Sequence, residues 1–176
     1  MLIFLHKILA HKTTTNQTQT RSALFNKHMV TIIRTNSENQ EFKKLVKLLN
    51  SDLAERDGEN HPLSKFNTIA KIKYVILAYE NNKSLGCGAI AEYDLNTMEV
   101  KRMYVSPDFR GKRIATSILS ELEKWSKELG SSKCLLFTGT NQPEASRLYK
   151  RNGYRLIQKY GKLAEIADSI CFAKEI

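Results

Sequence analysis

Arg110, Lys112 and Arg113 crowd around Gly111, and no acidic residue falls between Phe109 and Ser120. The residues that follow carry helical periodicity, so the cations stand where a helix begins. The first turn of a helix leaves backbone N–H groups without intrahelical partners and carries the positive end of the dipole. Amides, dipole and cations together would suit a phosphate or pyrophosphate. An ordinary basic turn with solvated side chains has the same sequence, and spacing alone leaves both readings open.

The elements that must hold this turn lie on either side of it. Residues 98–105 are β-rich and lack Gly and Pro. Residues 106–112 carry Pro107, Asp108 and Gly111, which are turn formers. From there the period changes. Ile114, Ala115, Ile118, Leu119, Leu122, Trp125 and Leu129 recur at helical spacing, and Gly130 stands at the expected C-cap.

Upstream, residues 30–34 read as a first strand. Ser37 reads as the N-cap of a helix over 38–56, with Phe42, Leu45, Val46, Leu48, Leu49 and Leu53 on its buried face. Residues 57–63 are a polar loop. Strands at 74–79, 85–93 and 98–105, joined by short turns, predict an antiparallel meander. Downstream, 133–138 is a continuous apolar run typical of a central strand. Strand, helix and strand then form a crossover, so the strands at 98–105 and 133–138 should be parallel. Pro143 opens a helix to about residue 152, Gly153 stops it, and strands at 154–157 and 169–174 close the sheet. Residues 160–168 read as a loop without an assigned place.

Residues 105–115, Val-Ser-Pro-Asp-Phe-Arg-Gly-Lys-Arg-Ile-Ala, resemble motif A of the GCN5-related N-acetyltransferase (GNAT) superfamily. Arg110 and Ala115 fit that motif, while Arg113 stands where the family usually has Gly. Residues 142–154, Gln-Pro-Glu-Ala-Ser-Arg-Leu-Tyr-Lys-Arg-Asn-Gly-Tyr, resemble motif B. The resemblance spans 29–176. Segments 138–145, 160–161 and 169–172 are similar to a bacterial subgroup of small acetyltransferases, from which Phe137 and Leu163 depart.

The resemblance implies an α/β (α+β) GNAT fold. Its central sheet is mixed and mostly antiparallel, with a splayed parallel strand pair and flanking helices. It implies acetyl-CoA as acyl donor and a primary amine as acceptor. The pantetheine would pair with backbone around Met103, Tyr104 and Val105. The pyrophosphate would lie over Arg110, Gly111, Lys112, Arg113, Ile114 and Ala115. Asn141 or Gln142 would approach the pantetheine or sulfur end. Tyr149 falls on the motif B tyrosine that faces the sulfur in many relatives, and is the candidate acid. Glu99 matches an acid used by some relatives, and is the candidate base; strand alternation would put it on one side with Lys101 and Met103.

Bulk properties bound these readings. A chain of 176 residues with 41% hydrophobic content suits one packed domain. A net charge of +10 admits nucleic acid, an anionic surface or a polyanionic cofactor. The acids are spread through the body and no nucleic-acid-binding motif is present, so a nucleotide cofactor is the economical partner. Cys87, Cys134 and Cys171 are far apart and form no CxxC pair, which predicts buried free thiols in a reducing, cytoplasmic compartment. His6, His11, His28 and His61 form no cluster with them, so neither a thiol enzyme nor a metal site is expected. No membrane span is expected either, and a monomer or homodimer remains open. A protein or peptide acetyltransferase, or a CoA- or nucleic-acid-binding module without turnover, are the competing functions.

Residues 1–28 contain Lys7, Lys12, Arg21 and Lys27 and no acid. They read as a transit-like leader or, preferably, an upstream extension, with the domain at 29–176. Deleting 1–28 should therefore leave folding and acetyl-CoA binding intact. A large fall in the melting temperature of the truncated chain would place the leader inside the fold.

Overall fold

The computed structural model describes residues 29–70 and 72–176. The expectation for the leader, with His6, His11 and His28, lies outside the described residues. The chain forms β1 (Thr31–Thr35), α1 (Gln40–Asp57), β2 (Tyr74–Glu80), β3 (Lys83–Asp94), β4 (Thr97–Val105), α2 (Ile114–Glu128), β5 (Lys133–Gly139), α3 (Pro143–Arg151), β6 (Arg155–Ile157) and β7 (Ser169–Glu175). Short 3₁₀ turns occupy Pro62–Phe66, Pro107–Phe109 and Gly161–Glu165. The last of these fills the stretch that sequence left unplaced, and it buries Leu163 against Leu63, Ile166 and Cys171.

One sheet runs in the order β1-β2-β3-β4-β5-β7-β6. All its pairs are antiparallel except β4–β5, which is parallel as the crossover required. Asn81 and Asn82 join β2 to β3 with φ of 50° and 62°. Two successive left-handed residues match the twist of a tight hairpin, and asparagine tolerates that region best after glycine. The helices cover both faces. On one, α2 packs Ile114, Ile118, Leu119 and Leu122 against Ile76, Ile90, Val100 and Leu136. On the other, α1 packs Phe42, Leu45, Val46 and Leu49 against Val75, Leu77 and Ala89.

Two details of α1 differ from the sequence expectation. Asn39, not Ser37, caps the helix, its side chain accepting from the amides of Glu41 (2.9 Å) and Phe42 (3.3 Å). Asn36 begins the approach instead, accepting from Glu38 N–H at 2.9 Å. Leu48 is 51% exposed, because the stripe that meets the sheet is narrower than the apolar set. Leu53 is only half-buried at its edge.

β4 is irregular where it matters most. Its register with β3 slips between Cys87↔Tyr104 and Ala89↔Lys101, so Gly88 faces two residues, Arg102 and Met103. Arg102 takes φ 54°, and its carbonyl accepts from the Cys87 thiol at 3.3 Å. This is a β-bulge, and it breaks side-chain alternation. Glu99 and Lys101 therefore share one face with the α1 side, while Met103 joins the α2 cluster on the other. The expectation that Glu99 and Met103 share a side is corrected by that extra residue.

Gly88 lets the bulge sit flush. A Cβ there would meet Met103 Sδ at 2.5 Å, Ile118 Cγ2 at 2.7 Å and Leu122 Cδ1 at 2.9 Å. Gly88→Ala should cost about 1–3 kcal/mol by overpacking, read as a melting temperature lower by about 2–8 °C. An unchanged melting temperature would mean that the bulge and α2 are not tightly apposed.

Candidate active site

β4 and β5 pair only at Thr97↔Lys133, Met98↔Cys134 and Glu99↔Leu135. Beyond Glu99 they part, and the β5-facing edge of β4 loses its strand partner. A cleft of about 770 Å³ opens there. One mouth is lined by Gly111, Arg113, Ile114, Ala115, Arg147 and Asn152, at the start of α2 and along α3. The other is lined by Asn50, Leu53, His61, Ser64 and Asn67, from α1 and the turn after it.

The α2 mouth is made of backbone. Helix α2 has no side-chain cap and no acid in its first turn. Its ladder starts with Ser117 N–H donating to Arg113 C=O at 3.0 Å. Among the described residues, nothing accepts from the amides of 111–116. These amides, aligned with the helix dipole, form a nest for an anion. Arg113 holds the N-cap in the left-handed region at φ 63°, and Gly111 has φ 79° with no atom within 4 Å of a Cβ built on it. The nest is thus open towards the cleft.

The cations around it are deployed differently from one another. Arg110 turns back, its Nε donating to Val105 C=O at 3.0 Å and its Nη2 to Asp52 at 3.2 Å. Lys112 lies over the Phe109 ring, 4.9 Å from its centroid, and is not among the cleft-lining residues. Ion pairs also bind α1 to the far wall. Arg56 bridges Asp52 at 3.3 Å and Glu144 at the start of α3. Asp57 accepts from Asn141 at 3.1 Å and from Gln142 at 2.7 Å. Gln142 in turn accepts from the Thr138 hydroxyl and Gly139 N–H, both at 2.8 Å. Both amides proposed near the pantetheine are therefore occupied in tying α1 to β5 and α3, and of the two only Gln142 lines the cleft.

Met103, Tyr104, Val105 and Tyr149 all line the cleft. Tyr149 is 5% exposed, packed at 5.9 Å from both Tyr154 and Phe172, and its hydroxyl has no protein partner among the described residues. Burial pushes its ionisation above the usual tyrosine range, while the Arg102 charge opposes this. Glu99 is not a lining residue. Its carboxylate accepts from Lys101 Nζ at 2.7 Å and Tyr160 hydroxyl at 2.9 Å. Lys101, its ion-pair partner, does line the cleft and lies 5.5 Å from the Phe137 centroid. Burial raises the Tyr160 ionisation first, and the adjacent Glu99 charge adds to it.

Sequence reasoning missed Arg102, Asn50, Asn67 and Tyr160, whereas Asp57, His61 and Leu63, from the loop that the resemblance puts beside the acceptor pocket, do line the cleft. Arg102 sits inside an apparently regular strand, and nothing in the residue types announces a bulge. The free thiols are as expected: Cys87, Cys134 and Cys171 are buried, and burial pushes Cys87 up to about 12. Among the described residues no His, Cys, Asp and Glu gather in a group that could hold a metal ion. No described helix is long and apolar enough to cross a membrane.

Residues 71–156 match the model of the Acetyltransferase (GNAT) domain. An IAA acetyltransferase of Azospirillum brasilense is 33% identical over 129 residues, covering 71% of this chain and 84% of that one. The chain belongs to the GNAT acetyltransferase family. A Klebsiella pneumoniae chain assigned as an acyl-CoA N-acyltransferase superposes with a TM-score of 0.71 at 25% identity, covering 84% of this chain and 97% of that one. A GNAT acetyltransferase from Elizabethkingia anophelis, solved with acetyl-CoA bound, gives 0.63 at 19% identity, covering 84% and 98%. As a GNAT member this protein is an acetyl-CoA-dependent acetyltransferase. The unpartnered amides of 111–116 and the unpaired edge of β4 fit such a donor, since its pyrophosphate needs an anion nest and its pantetheine amides need backbone partners.

The left-handed φ at Arg113 suits the Gly that the resembling motif carries there. Arg113→Gly should relieve about 1 kcal/mol of backbone strain and leave acetyl-CoA affinity within about threefold, since the nest is backbone. Gly111→Val should be worse. No protein atom blocks the new side chain, but a β-branched residue at φ 79° carries about 1–3 kcal/mol of strain, and relaxing it would misalign the amides. Equal acetyl-CoA affinities for the two variants, measured by calorimetry, would show that this turn does not hold the pyrophosphate.

Proposed function

We propose that this protein transfers an acetyl group from acetyl-CoA to the primary amine of a small, amino-acid-like molecule. The observation that carries the reading is the cleft between β4 and β5, lined both by the turn at the start of α2 and by residues of α1. The unpartnered amides of 111–116 support the α2 mouth as the donor's, which would leave the α1 mouth to the acceptor. A volume of about 770 Å³ shared by both substrates suits a small acceptor better than a folded protein surface.

Acetyl-CoA supplies the thioester whose acetyl carbon the amine attacks and whose sulfur leaves. The protein must then handle protons. An alkylammonium has a pKa near ~10, so the reactive amine is scarce at neutral pH. In this reading Glu99 is the ultimate base. Because its oxygens are bonded to Lys101 and Tyr160, it acts across an intervening donor rather than by touching the amine. Tyr149 is the acid. Its unpartnered hydroxyl lies on the cleft and would donate to the departing thiolate, and the raised ionisation keeps it protonated past the usual tyrosine range. Met103 N–H, beside the bulge, would donate to the oxyanion.

Tyr149→Phe should bind acetyl-CoA as the wild type does while turnover falls by about 10²–10⁴-fold. The wild type should show no loss of activity from Tyr149 ionisation below the ordinary tyrosine pKa of ~10, because a raised pKa keeps the proton on to higher pH. Glu99→Gln should lose most activity near neutrality and regain part at alkaline pH, where the amine deprotonates unaided. Tyr149→Phe should show no such rescue. Wild-type turnover by Tyr149→Phe on an established amine would make that ring a packing residue. An unchanged pH profile in Glu99→Gln would move the base to another group.

A further inference from the structure

Arg34, Arg56 and Arg110 each pair with at least one carboxylate. Arg102 is more deeply buried than any of them, at 8% exposure, and among the described residues no carboxylate lies within ion-pair distance of it. Its Nη1 donates to Asn50 Oδ1 at 3.1 Å and Asn67 C=O at 3.4 Å, and its Nη2 donates to Asn67 Oδ1. Every one of these acceptors is neutral. A guanidinium has five N–H donors, and here Nε is buried with no partner among the described residues. Glu99, the carboxylate that influences it from a distance, is committed to Lys101 and Tyr160.

A cation buried among neutral partners is unfavourable unless an anion completes it. Burial lowers the Arg102 pKa to about 10, so it remains charged at neutral pH. It also lines the cleft, on the side of Asn50 and Asn67, which is the mouth left for the acceptor. The two asparagines hold the guanidinium plane in place and leave donors over. We propose that the acceptor amine also carries a carboxylate, and that Arg102 receives it at the α1 mouth. The planar fork of arginine matches a carboxylate directly. A phosphate, with a charge of about −1.5 to −2, would call for a second free cation, and Lys101 is already neutralised by Glu99. This inference rests on the amine-acetylation reading above.

The test compares amino acids with their carboxamides as acceptors, across small, aliphatic, aromatic and basic side chains, using the full chain and saturating acetyl-CoA. Acids should exceed carboxamides in kcat/KM on the order of 10- to 100-fold, mainly through KM, as expected for a charge-assisted hydrogen bond. Arg102→Met should collapse that preference, and Arg102→Lys should keep part of it. Thermal stabilisation by acetyl-CoA reports that each variant is folded, and the wild-type preference stands as a test even if neither is. A wild type that acetylates carboxamides as well as acids overturns the proposal. So does an Arg102→Met variant that slows both members alike, which would place Arg102 at the acetyl group or in the scaffold. Failure of every amine to react would instead defeat the amine reading. The carboxylate site would then be decided by binding: with CoA present, N-acetyl amino acids should stabilise the wild type more than N-acetyl carboxamides, and equal shifts overturn it.

Discussion

The structure turns on one constraint at β4. This strand must stay paired with β3 along its length yet leave β5 after Glu99. A regular strand would follow both neighbours. The bulge at Arg102 adds a residue against Gly88, bends β4 and increases its local twist. The unpaired edge that results would be a liability on an outer strand, where it invites aggregation. Here it lies inside, covered by α1 on one face and by α2 and α3 on the other. A substrate, not another sheet, is what the geometry admits.

Holding such a gap open requires ties that do not pass through the sheet. Several polar links supply them around the rim: Arg110 to Asp52, Arg56 to Glu144, and Asp57 to Asn141 and Gln142. Each joins α1 to an element beyond the gap. Individually such partly exposed pairs contribute about 0–1 kcal/mol, so their value is geometric. They fix where α1 stands relative to α2 and α3, and with it the distance between the two mouths. This also explains why Arg110, a motif residue by sequence, points away from the nest. Its guanidinium holds the wall, and the amides beside it remain free.

Most of the fold was legible because its signals are local. The period change at Ile114, the two-residue hairpin at Asn81 and Asn82, and the apolar run of β5 all specify their own conformation. The crossover rule then fixed the parallel pair. The errors came where a competing interaction decides the outcome. Asn39 caps α1 in place of Ser37 because its side chain meets two amides. Leu48 is exposed although it fits the apolar pattern, since the sheet contacts only part of that stripe. The bulge was invisible for a deeper reason. Its cause is the close fit of Gly88 against Met103, Ile118 and Leu122, a contact between segments far apart in the chain. The alternation-based placement of Met103 failed with it, and Arg102 went unnoticed for the same reason.

The two mouths of the cleft differ in what they ask of the sequence. The α2 mouth is built from amides and a dipole, which any residue supplies provided its φ is accessible. Arg113 can therefore occupy a left-handed position at the cost of modest strain, and the nest survives a departure from the family motif. The α1 mouth is built from side chains: Arg102, Asn50 and Asn67 hold one another through specific hydrogen bonds. Losing either asparagine takes a hydrogen-bond acceptor away from the buried Arg102 guanidinium. Variation among related chains should therefore fall differently on the two sides. On the reading proposed here, donor binding tolerates drift in side chains, whereas a change at this trio alters which acceptor is admitted. The two resembling motifs lie along the backbone-built side and carry little information about the side-chain-built one.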